Sequence, residues 1–192
     1  MALLDKKFYL RDDVVQISKE LLGKYLFTNV NGKITGGIIT ETEAYNGIID
    51  RASHAFGGRR TARTEIMYSE GGVAYVYFCY GIHSLFNVVT NVKDVPHAVL
   101  IRAIHPVDGI EIMLKRRKKK TVDKTFSGGP GTVAQALDIQ VSQTGTDLRG
   151  NKIWIEDKNF EVKNSQVKIS KRIGVESAGD AAHLPYRFVL DL

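Results

Sequence analysis

A single cysteine, Cys79, stands in 192 residues. One thiol makes no internal disulfide, and it rules out zinc sites built from several thiolates. It sits in the apolar run Val76-Tyr77-Phe78-Cys79, where a buried, inert thiol is expected. No apolar run approaches the roughly 18 residues of a membrane-spanning helix, so no membrane partner is expected. The opening Met1-Ala2-Leu3-Leu4-Asp5 is too short an apolar stretch for a secretory signal, and a cytoplasmic location follows by default. Internal repeats and low-complexity linkers are missing. Gly128-Gly129-Pro130-Gly131 lacks the Lys-Ser/Thr that completes a phosphate-binding loop. The histidines, at 54, 83, 97, 105 and 183, show no ligand pair at helical or hairpin spacing with a matching acid. Neither a metal nor another cofactor is expected.

What is present describes an ordinary globular chain, 43% hydrophobic and 25% charged. Its length suits one compact domain spanning 1–192 and is short for two. The net charge is +6 and the pI about 9.3, which is compatible with a polyanionic partner without requiring one.

Periodicity predicts a helix from Val14 to Leu22, with Asp12 as N-cap and Gly23 as the stop. Tyr25 to Val30 and Lys33 to Tyr45 read as strands joined at Asn31-Gly32, two residues that tolerate the positive φ of a tight hairpin. The second of them is expected to be interrupted near Gly36-Gly37. Asn46 to Gly72 reads as an irregular surface segment, of the kind that often carries function. Val73–Cys79 and Ser84–Thr90 form a second hairpin around Tyr80-Gly81, and Ala98–Ile104 is a further strand. Helices are expected over Gly109–Lys118, with Ile110, Met113 and Leu114 inward, and over Pro130–Leu137. Strands follow near Lys152–Glu156, Val167–Ser170 and Arg187–Leu190. The fold class is α+β: a curved, mostly antiparallel sheet with flanking helices and a projecting β-hairpin.

Several residues could carry chemistry. On a strand, Glu41, Glu43 and Tyr45 share one face, and two carboxylates beside a tyrosine make a poor core. That face is either solvated or the wall of a polar pocket. Five of the eight tyrosines, Tyr45, Tyr68, Tyr75, Tyr77 and Tyr80, fall within positions 45–80. Strand preference accounts for Tyr75. It accounts poorly for Tyr80, whose place at a hairpin tip suits insertion into a base stack. Arg59, Arg60 and Arg63 flank or follow a Gly-Gly pair and could contact phosphates or simply be solvated. The run Lys115-Arg116-Arg117-Lys118-Lys119-Lys120 leaves the same choice. Arg102, alone among Leu100-Ile101 and Ala103-Ile104, must reach a partner: a structural carboxylate or an active-site one.

Together these segments resemble the alkyladenine (3-methyladenine) DNA glycosylase family of the mammalian type, with the short form expected of a bacterial member. The resemblance rests on Glu41-Thr42-Glu43-Ala44-Tyr45, His54, Gly57-Gly58-Arg59, Tyr75-Val76-Tyr77, Tyr80-Gly81, Asn87 and Leu100-Ile101-Arg102-Ala103. It continues more weakly in Gly129-Pro130, Ala134-Gln135-Ala136-Leu137, Arg172-Ile173-Gly174-Val175 and Pro185-Tyr186-Arg187-Phe188. It covers most of the chain from about residue 9, and the ordered set is far more specific than any one motif. It implies a monofunctional enzyme that hydrolyses the N-glycosidic bond of alkylated or deaminated purines, 3-methyladenine first, in double-stranded DNA. It further implies that Glu43 activates water, that Arg102 holds that water or the Glu43 carboxylate, and that Tyr45 and Tyr77 sandwich a flipped base. His54 and Asn87 would complete the pocket, Asn87 as a selectivity residue, and Tyr80 would be the wedge. A monomer, acting in the nucleoid, is expected. Residue choice between Glu41 and Glu43 comes from the resemblance alone. Two departures bear on lesion range: Thr90–His97 is about two residues longer than in the mammalian type, and His83-Ser84 replaces more apolar residues. A catalytically silent DNA-binding module and an RNA- or nucleotide-directed hydrolase remain open at this point.

Overall fold

The computed structural model describes residues 2–79 and 81–192. Among the described residues nine strands form one antiparallel sheet: β1 (Ala2–Leu3), β2 (Tyr25–Val30), β3 (Lys33–Tyr45), β4 (Ala74–Cys79), β5 (His83–Thr90), β6 (His97–Asp108), β7 (Ile153–Asp157), β8 (Val167–Ser170) and β9 (Arg187–Leu190). The order is β1-β7-β2-β3-β6-β5-β4, with β9 on β3 and β8 on β9. The helices are α1 (Lys6–Tyr9), α2 (Val14–Glu20), α3 (Ile110–Arg117) and α4 (Pro130–Leu137). The expected α+β class with a curved sheet is what the chain adopts.

The curvature originates in β3. Its first half pairs with β2 through a turn in which Asn31 and Gly32 sit at φ 53° and 76°, the left-handed geometry foreseen for that dipeptide. Its second half pairs on the same edge with β9, where Glu41 faces Val189 and Glu43 faces Arg187. Along the opposite edge, against β6, the register slips between Gly36 and Gly37, between Ile39 and Glu41, and between Glu41 and Thr42. Each slip adds a residue on one side, bending the strand and raising its twist. Glycine is required at the first slip: a Cβ on Gly36 would lie 2.2 Å from the Phe27 ring, and one on Gly37 would lie 2.6 Å from the His105 carbonyl oxygen. The last two slips flank Glu41, at the start of the acidic segment.

Several expectations need correction. The α2 N-cap is Asp13, not Asp12: its carboxylate accepts the Gln16 N–H at 2.9 Å. β6 runs on from Ile104 to Asp108, because the bulge opposite Gly37 accommodates Pro106, which has no N–H for a regular ladder. In α3, Met113 is buried but Ile110, the first residue of the helix, is 36% exposed. Asn46–Gly72 is a chain of short 3-10 turns, yet it is no mere surface segment. Ala55, Met67 and Tyr68 from it are buried against Tyr75, Val89 and Ala98 in a second apolar cluster.

The main core lies between the sheet and the helices. Val133, Ala134, Ala136 and Leu137 of α4 are buried in it with Phe86, Ile101, Met113 and Phe126. Burying a side chain such as Phe86 contributes about 2–3 kcal/mol. This packing fixes β5 and β6 rigidly, and those strands carry one wall of the site.

Candidate active site

The C-terminal half of β3, strands β4, β5 and β6, the 46–72 segment, the start of α4 and residues 173–175 surround one cavity of about 590 Å³. Tyr45, His54, Arg63, Tyr77, Asn87 and Arg102 all line it. Five elements thus bring six of the ten expected residues together. Cys79 also lines it and is half-buried, which corrects the expectation of a core thiol. Its hairpin extends past the edge of the core, so the end of β4 loses cover. Tyr80 lies outside the described residues.

Glu43 is buried, with no exposed area, and its carboxylate is held from three sides. The Tyr45 hydroxyl donates to Oε2 at 2.9 Å, the Ile173 N–H donates to Oε1 at 2.8 Å, and the Arg102 guanidinium lies 3.3 Å from Oε2. All three partners line the cavity. Arg102 also donates to Glu41 Oε1 at 2.8 Å, and Arg187 reaches the same oxygen at 2.6 Å. On the face that two carboxylates and a tyrosine made unsuitable for a core, only Tyr45 lines the cavity; Glu43 and Glu41 form a buried polar layer that does not line it, with Glu41 committed to two guanidinium groups.

Burial pushes the Glu43 carboxyl above its ordinary range. Arg102, the Ile173 N–H and the Tyr45 hydroxyl pull it back toward ionisation, and Glu41 adds to the upward push. The Tyr45 hydroxyl is pushed well up by burial and by the nearby Glu43 charge, so it stays protonated and remains a donor. His54 is driven down to about 4 by burial, with Arg63 and Arg59 adding to the effect. It is a neutral ring at pH 7. Its Nδ1 lies 2.8 Å from the Tyr75 hydroxyl, and its ring meets Tyr77 edge-on at 4.7 Å. Asn87 is buried, and its amide donates to the Tyr75 carbonyl at 3.2 Å, which fixes its orientation in the wall.

The three arginines of the 59–63 segment differ in role. Arg60 is tied to Glu65 and Asp94, each at 2.8 Å, and lies over the Tyr68 ring. Arg63 lies 4.9 Å over the Tyr77 ring at the cavity wall. Arg59 is exposed at the surface and does not line the cavity. Within the basic run, Arg116 donates to Thr35 and Ala136, Arg117 to Phe126 and Thr125, and Lys119 to Asp123. Half of that run is thus engaged in holding α3 to α4 and the following loop.

Two contributors escaped reading from the residues. Ile173 acts through its backbone N–H, which leaves no mark in side-chain chemistry. Arg187 is one charge on a short terminal strand, and only the β3–β9 pairing brings it to Glu41. No cluster of three potential metal-binding side chains occurs among the described residues.

The sequence profile of the methylpurine-DNA glycosylases matches residues 7–191, nearly the whole chain. The chain belongs to the methylpurine-DNA glycosylase family. Members of this family are hydrolases acting on N-glycosyl bonds, and the chain is an enzyme of that class. A Chlamydia abortus protein provisionally named 3-methyladenine DNA glycosylase is 47% identical over 99% of both chains. A Chlamydia felis protein with the same provisional name is 46% identical over 99% of this chain and 97% of its own. A third so named, from Clostridium acetobutylicum, is 44% identical over 97% of this chain and 93% of its own. No helix among the described residues is long and apolar enough to cross a membrane.

Proposed function

We propose that residues 1–192 act as one monomeric DNA glycosylase unit that releases alkylated purines, 3-methyladenine foremost, from double-stranded DNA in base excision repair, within the bacterial cytoplasm. The damaged nucleotide leaves the duplex, because its C1′ bond is unreachable within the stack; unstacking costs a few kcal/mol and least for a poorly paired base. The cavity, at about 590 Å³, is of ordinary size for a small-molecule site and accepts a nucleotide. Tyr45 and Tyr77 supply electron-rich faces that favour a cationic N3- or N7-alkylated purine. Neutral His54 adds no opposing charge, and Asn87 gives the wall a fixed amide for selecting among bases. Tyr80 is assigned as the wedge in the vacated stack, and Arg59 and Arg63 as phosphate contacts, with Arg60 a lesser one.

Glu43 is the general base. A carboxylate accepts about four hydrogen bonds. Tyr45 and Ile173 fill two positions and the Arg102 guanidinium stands at 3.3 Å; the carboxylate has no accessible surface in the free protein, so the water it activates enters with the flipped nucleotide. That water attacks C1′, its proton passes to Glu43, and the base departs with the bonding electron pair. A cationic purine leaves as a neutral molecule and requires no acid. Hypoxanthine and ethenoadenine require protonation, and they are read as slower substrates. No lysine lines the cavity among the described residues, so water rather than an amine is the nucleophile and the strand is not cut. The observation that carries this reading is the buried Glu43 carboxylate whose three partners all face a tyrosine-lined cavity. It also favours Glu43 over Glu41, which is committed to Arg102 and Arg187.

The test is release of free base from duplex DNA containing 3-methyladenine, hypoxanthine or ethenoadenine. Glu43→Gln should lose release while keeping DNA binding. Full activity in that variant would refute the role of Glu43. Binding without release by the wild type would make the chain a silent DNA-binding module, and preference for RNA or free nucleosides would make it a different hydrolase.

A further inference from the structure

Behind the Tyr45 ring lies a cation that none of the roles above uses. The Arg172 side chain has no exposed area, and neither does it line the cavity. Its guanidinium carbon is 4.8 Å from the Tyr45 ring centroid and 5.3 Å from that of Tyr186. Tyr45 lines the cavity, whereas Arg172 and Tyr186 do not. The guanidinium is pinned in its own plane. It donates to Ala44 O at 2.8 Å, to Ala181 O at 3.0 Å and to both oxygens of Asp50. Asp50 is itself buried and accepts the N–H groups of Asn46 and Ala52, each at 3.0 Å. Among the described residues Arg172 Nε has no partner. A buried donor left unpaired is costly, so this geometry is held against a local penalty.

Two functional groups depend on this one side chain. Ala44, which it grips, lies between Glu43 and Tyr45. Ile173, the next residue along, carries the N–H that donates to Glu43. We infer that Arg172 is a positioning residue for the reaction: it backs the Tyr45 ring and fixes the backbone donor on Glu43, so that base plate and general base keep one mutual geometry. The fork is needed for this, because a lysine ammonium cannot bridge Ala44, Ala181 and Asp50 in one plane. Misplacement of reacting groups by about 1 Å costs up to about a hundredfold in rate.

This inference rests on the roles assigned above to Glu43 and Tyr45. Its test is single-turnover base release by Arg172→Lys and Asp50→Asn, with cooperative melting checked for each. Asp50→Asn keeps an oxygen for only one of the Asn46 and Ala52 N–H groups, which bind different carboxylate oxygens, but it leaves Arg172 itself in place and decides the matter if the lysine variant does not fold. The expected result is a tenfold to hundredfold lower kcat in a folded protein, with a smaller loss for Asp50→Asn. The acid limb of the pH–rate profile should also move to higher pH. Glu43 is faced by Arg102, Glu41, Tyr45 and Tyr77, and a weakened Ile173 N–H removes one of the bonds favouring its ionised form. A purely structural Arg172 would lower melting temperature and leave the limb in place. Wild-type kcat and an unmoved limb in either folded variant overturn the inference. An active Glu43→Gln enzyme overturns the earlier assignment instead, so the two failures are distinct.

Discussion

Neutral His54 is the feature of the site whose consequence is easiest to weigh. Burial, then Arg63 and Arg59, hold its pKa at about 4, against 6.5 for the free side chain. The unfolded chain therefore takes up a proton near pH 6.5, while the folded protein does not until about pH 4. Where the unfolded state binds more protons, stability rises with pH. It follows that stability is lost as pH falls from about 6.5 to about 4 and is fully present above that window. The displacement corresponds to about 3 kcal/mol, and solvent reaching the half-buried ring reduces this to roughly 2 kcal/mol. His54→Phe keeps a ring against Tyr77 but loses the bond to the Tyr75 hydroxyl, which costs about 1 kcal/mol. At pH 7.5 the wild type should thus be the more stable by about 1 kcal/mol, and at pH 4.5 the variant should be, by a similar amount. For a chain of this size each kcal/mol moves the midpoint by about 2–4 °C, so thermal melts of both proteins across pH 4.5–7.5 resolve the crossing. A difference between them that stays flat with pH would show that His54 titrates normally, and the picture of an uncharged pocket wall would fail with it.

The remaining expectations concern charge and packing. Base release should fall as pH drops through the raised pKa of Glu43, and Glu41→Gln should move that limb down by removing a repelling charge and freeing Arg102 for Glu43; an upward move would contradict the network. Arg59→Ala should lower the slope of log affinity against log salt by about one, whereas Arg60→Ala should leave it nearly unchanged, because Arg60 is tied to Glu65 and Asp94. Equal slopes in both variants would place the two arginines on the same footing. Phe126→Ala should cost about 3–5 kcal/mol in denaturant melts, and Gly36→Ala more than 1 kcal/mol through its clash with Phe27.

The β2–β3 hairpin, α4 and strands β8 and β9 were legible because local chemistry sets them: Asn31-Gly32 for positive φ, Pro130 for a helix start, alternating apolar residues for short strands. The acidic face of β3 was legible as a problem, since it was unfit for a core, but its solution was not. Whether Glu41 and Glu43 met solvent or arginine depended on β6 and β9 flanking the bent half of β3. The 46–72 segment read as surface because its apolar residues follow no period, and the sheet behind it gives them their burial.

The order of residue types along the chain determined the class of fold, the tyrosine-rich stretch and the family. What no string of residues encodes locally is proximity: the meeting of Glu43 with the Ile173 N–H, 130 positions on, or of Arg172 with Asp50, 122 positions back. Such contacts carry no periodic signal, because each arises where separate strands and loops close on one another. The charge state of Glu43 and His54 belongs to that closure too, since burial and neighbouring charges exist only in the folded chain.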